Sequence, residues 1–73
     1  MLMDILIFKT NLADKKHVKK LFPLFRNMQG ISRWNVDLED CEKILRIEAE
    51  QLCAEQIETM LANAGYFCEE LQD

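Results

Sequence analysis

Apolar positions along the chain switch between two periods, and the switches mark its elements. Residues 3–8, MDILIF, form a short apolar run rich in isoleucine and closed by Lys9, Thr10 and Asn11, which predicts a largely buried strand. From Asp14 the period lengthens. Val18, Leu21, Phe25 and Met28 recur at helical spacing while Lys15, Lys16, Lys19 and Lys20 fall outside that stripe, the pattern of an amphipathic helix. Pro23 lies inside the segment, where it removes a hydrogen bond and crowds the carbonyl four residues earlier, so a kink or early stop near Phe22 is expected. Gly30 marks the stop.

Beyond it Trp34, Val36 and Leu38 alternate with Arg33, Asn35 and Asp37, and after the polar turn EDCEK, Leu45, Ile47 and Ala49 alternate with Ile44, Arg46 and Glu48. Two half-buried strands this close form a hairpin. Cys53 to Ala64 returns to the helical period, with Ile57, Met60, Leu61 and Ala64 inward, Glu55, Glu58 and Asn63 outward, and Gly65 as its stop. Tyr66 to Leu71 reads as a last strand. The order β-α-β-β-α-β predicts an α+β, ferredoxin-like sandwich: an antiparallel four-stranded sheet with two helices on one face. At 73 residues the chain is read as one domain, 1–73, near the lower size limit for a self-sufficient core.

Composition narrows the chemistry. The three cysteines, Cys41, Cys53 and Cys68, form no C-x-x-C pair and read as reduced thiols. No apolar run is long enough to span a membrane and no secretory signal is legible, so a cytoplasmic location is expected. One histidine, no glycine-rich phosphate loop and no spaced nucleophile and base argue against an enzyme, and no cofactor is implied. Charge is segregated: residues 1–36 carry seven Lys or Arg against two Asp or Glu, and residues 37–73 carry two against eleven. That balance disfavours nucleic acid as a partner.

Three stretches, GISRWNVDL, KILRIEA and IETMLANAGYFCEEL, together resemble the heavy-metal-associated domains, the family of copper chaperones, over nearly the whole chain. The resemblance implies a metal-binding Met-x-Cys-x-x-Cys loop before the first helix. With Val18 set on the family's valine, the cysteine positions fall on Asn11 and Asp14 and the methionine on Lys9. An amide and a carboxylate are hard donors, unsuited to Cu(I) and too few for a hard cation. Asn11 is instead expected to cap the helix, with Asp14 answering its backbone or the helix dipole. His17 and Cys41 are the soft ligands left for an atypical site, with Asp14 as a further donor.

The family docks on its partners at this same end through complementary charge, which makes Lys15, Lys16, Lys19 and Lys20 the docking candidates and an acidic protein surface their partner. With Ile5 and Ile7 assigned to the helix side, Leu6, Phe8 and Ile44 line the uncovered sheet face as a second interface, open to a partner or a second copy of the chain. The chain is thus expected to be a non-catalytic protein-interaction domain that resembles metal chaperones without their thiolates. The alternative is a metal-binding or metal-trafficking protein with an atypical site.

Overall fold

The computed structural model describes residues 3–71. Strand β1 (Asp4–Thr10) leads into helix α1 (Lys15–Arg26), followed by β2 (Ile31–Asp37), β3 (Ile44–Ala49), α2 (Ala54–Asn63) and a short β4 (Cys68–Glu70). The sheet order is β2-β3-β1-β4, with every neighbouring pair antiparallel. This is the ferredoxin-like sandwich that the alternation of periods predicts.

One face of the sheet is closed by both helices. Leu21 and Phe25 of α1 and Ile57 and Leu61 of α2 share a single core with Phe8, Leu12, Leu45, Ile47 and Ala49. Phe22 and Phe25 bracket Trp34 with ring centroids 4.9 and 4.8 Å away, which anchors α1 over β2. Gly30 takes φ +100° at the entry to β2, where its carbonyl accepts the Glu50 N–H at 2.8 Å.

Two expectations are corrected here. Helix α1 neither stops nor breaks at Phe22 but runs through Pro23 to Arg26. Pro23 and Lys19, whose carbonyl loses its partner, are both exposed, so water can take the freed group while Leu21 and Phe25 hold the helix on the sheet. The facing of β1 is also the reverse of the expected one. Phe8 is fully buried and Leu6 packs against the core, whereas Ile5 is 50% exposed on the uncovered side. Register with β3 explains it: Leu6 and Phe8 pair with Ile47 and Leu45, which lie under the helices, while Ile5 and Ile7 pair with Glu48 and Arg46. Of the expected open-face set, only Ile44 stays outside the core.

Candidate functional site: the loop end of the sheet

Three connections meet at one end of the sheet: residues 11–14 between β1 and α1, the 38–43 turn between β2 and β3, and residues 64–67 between α2 and β4. Thr10 ties the first to the second. Its N–H donates to the Glu42 carbonyl at 3.0 Å, and its hydroxyl donates to the Lys43 carbonyl at 2.6 Å while accepting the Leu12 N–H at 3.2 Å. Leu12, the one long apolar residue of TNLAD, is fully buried and pins the loop from beneath. In the sequence Thr10 marks only a strand boundary; it is buried because it shares the face of Phe8, which register with β3 turns toward the helices.

Asn11 does not cap α1. Its Oδ1 accepts the N–H of Phe67 at 2.8 Å, so it joins the first connection to the third across 56 residues of sequence. The cap is Asp14, in extended conformation, whose Oδ1 accepts the N–H groups of Lys16 at 2.9 Å and His17 at 3.2 Å. The His17 backbone bond, the largest cause, holds the Asp14 carboxyl below its ordinary value against desolvation, the next in size, with further help from the Lys16 bond and the Lys16 charge. The helix start moves one turn later than expected because burial of Leu12 keeps residues 11–13 out of the helix.

His17 is half-buried. Its Nδ1 accepts the Ala13 N–H at 2.9 Å and its ring lies 5.2 Å from that of Tyr66. The imidazole therefore fastens the loop with one nitrogen and the 64–67 connection with its face. Cys41 is exposed on the 38–43 turn, and Cys53 is exposed at the start of α2. Cys68, half-buried on β4, has its thiol pushed up to about 12 by burial and, secondarily, by Glu58, so it offers no thiolate near neutral pH. Glu58 was expected to face solvent; it is instead half-buried and its Oε2 accepts the Glu70 N–H at 2.8 Å, binding α2 to β4.

A thiolate metal site of the kind the resemblance implies does not fit these residues. The Asn11 amide oxygen, the Asp14 carboxylate and the His17 Nδ1 are each engaged by a backbone N–H. Among the described residues no group of three or more His, Cys, Asp or Glu is arranged to hold a metal ion.

Lys15, Lys16, Lys19 and Lys20 are all exposed on the first two turns of α1. Positions 15 and 19, and 16 and 20, stand one above the other, so the four make a single stripe beside the loops. No acidic residue lies in the first turn to offset them. No helix is long and apolar enough to cross a membrane among the described residues.

No protein-family model matches the chain, and no curated protein matches it. Several solved structures share its fold. Oxidized MerP from Ralstonia metallidurans CH34 superposes with a TM-score of 0.80 at 12% identity, covering 97% of this chain and 100% of that one. The CsoZ metallochaperone gives 0.77 at 18% identity with the same coverage. The resemblance to the heavy-metal-associated domains thus holds at the level of fold.

Proposed function

We propose that this chain is a non-catalytic docking module: a metallochaperone scaffold whose metal-loop positions have become structural, and which engages an acidic protein surface through Lys15, Lys16, Lys19 and Lys20. The observation that carries the reading is the placement of those lysines. A helix start favours negative charge, and each cation near it costs about 0.3–1 kcal/mol. Two of the lysines occupy the first turn, beside a capping carboxylate and without a compensating acid. Stability does not account for a cluster at that position, whereas recognition of an opposite charge does.

The metal-carrying alternative takes its support from the fold shared with the CsoZ metallochaperone. Among the described residues its donors would be few: one nitrogen of His17, whose Nδ1 accepts the Ala13 N–H, and Cys41 on a neighbouring turn. The chain is placed in the cytoplasm on this reading, where exposed Cys41 and Cys53 remain thiols.

The variant carrying Lys15→Glu, Lys16→Glu, Lys19→Glu and Lys20→Glu is expected to fold and to melt higher, by about 1 kcal/mol of added stability from the two first-turn reversals. It is expected to lose the partner that the natural chain captures from a cell extract at low salt. Capture by the natural chain should itself weaken steeply as salt rises. Undiminished capture of the same partner by the folded variant would contradict the proposal.

A further inference from the structure

The uncovered face of the sheet differs from the rest of the molecule in the way its charges are distributed. It presents Arg33, Asn35 and Asp37 on β2, Ile44, Arg46 and Glu48 on β3, Ile5, Ile7 and Lys9 on β1, and Glu69 on β4. Leu71, 36% exposed, continues the ladder past β4 by donating its N–H to the Ile7 carbonyl at 2.8 Å. Three cations and three anions are interleaved there, although the chain as a whole separates its charges. Arg33 pairs across strands with Glu48, and Lys9 with Glu69. A face of this balance has no electrostatic preference for a strongly acidic or strongly basic partner, and its apolar members adjoin one another on β1 and β4.

The two central strands add a second regularity. On adjacent outward-facing rungs Ile5 stands opposite Glu48 and Ile7 opposite Arg46. A two-fold axis lying in the face, normal to the strands and passing between these rungs, exchanges them. It lays Ile5 on the Ile7 of a second copy and Arg46 on the second copy's Glu48, each contact occurring twice. Like signs do not meet at either rung, and the strands of the two sheets run aligned, as face-to-face sheets pack.

We propose that this face is the contact between two copies of the chain, joined isologously about that axis. The proposal is independent of the lysine stripe, which lies on the helix layer. Strands of seven, six, seven and three residues, with about 3.3 Å rise and about 4.8 Å between strands, give a footprint of roughly 360 Å² per copy. That is below the standard size of a specific contact, so the dimer is weak and forms reversibly with concentration.

Sedimentation equilibrium of the reduced protein over a wide concentration range tests it. The weight-average mass is expected to climb from the 8.6 kDa monomer toward twice that value. Arg46→Glu alone and Glu48→Arg alone each place two like-charged contacts at the axis, and each should weaken association by at least about tenfold. An equimolar mixture of the two single variants restores opposite charges at both contacts and should associate again. A natural chain that stays monomeric at the highest concentration would overturn the proposal. So would association indifferent to both variants, or a mixture no better than its components. Association abolished only by the lysine reversals would place the contact on α1 and equally overturn it.

Discussion

Phe8→Ala is expected to lower the unfolding free energy by about 3–5 kcal/mol, while Ile5→Ala, three residues earlier on the same strand, costs less than about 1 kcal/mol. Phe8 is fully buried near the centre of β1, pairs with Leu45 on one side and Glu70 on the other, and belongs to the core shared by both helices. Truncation removes a ring's worth of burial and leaves a cavity among Leu and Ile side chains that relax only partly. A chain of 73 residues has a total stability of roughly 4–11 kcal/mol, so the loss is about a quarter of it or more. Ile5 is half exposed on the uncovered face and leaves little behind. Urea denaturation of both variants checks the facing of β1 directly; a mild Phe8 variant beside a severe Ile5 variant would mean that the strand is inverted.

Gly30→Ala is the second large effect, expected at about 3 kcal/mol. Gly30 sits at φ +100°, and a Cβ there would lie 2.6 Å from the Glu50 carbonyl oxygen, a backbone atom with no flexible side chain to yield. The same residue's own carbonyl accepts the Glu50 N–H, so relief of the clash pulls apart the ends of β2 and β3. Gly65 supplies the internal comparison. Its φ is +95° but nothing lies within 4 Å of its added Cβ, so Gly65→Ala carries the backbone term alone, about 1–2 kcal/mol. Thermal melts of the pair should separate by about 5–10 °C. Equal melting points would show that the close approach of Gly30 to Glu50 is not maintained in solution.

Element order and type were legible because the apolar period changes cleanly at Asp14, Gly30 and Cys53. The facing of β1 was not. In MDILIF apolar residues fill both parities, so no alternation distinguishes the faces, and the choice is made by register with β3, a contact some forty residues away. The helix start was off by one turn for a related reason. Asn11 and Asp14 are both competent caps, and the choice falls to Asp14 because Leu12 is drawn into the core and Asn11 is taken by Phe67. Pro23 shows the same precedence of packing over local preference, since the helix continues past it with Leu21 and Phe25 buried on either side. At the candidate site the lysine stripe was plain in the sequence, because helical spacing alone groups 15 with 19 and 16 with 20. The network that makes the loop structural, from Thr10 to Lys43 and from Asn11 to Phe67, depends on residues 33 and 56 positions apart and leaves no local pattern.

We propose that the loop before α1 is structural and holds no metal, and competition with a chelator tests that proposal most directly. Reduced protein is titrated with Cu(I), and separately with Zn(II), in the presence of a chromogenic chelator of sub-micromolar affinity. With Asn11, Asp14 and His17 Nδ1 already engaged by backbone N–H groups, the chelator should keep the metal at every protein concentration. Sub-micromolar retention by the protein, lost on Cys41→Ser or His17→Ala, would contradict the account and make the chain a metal carrier.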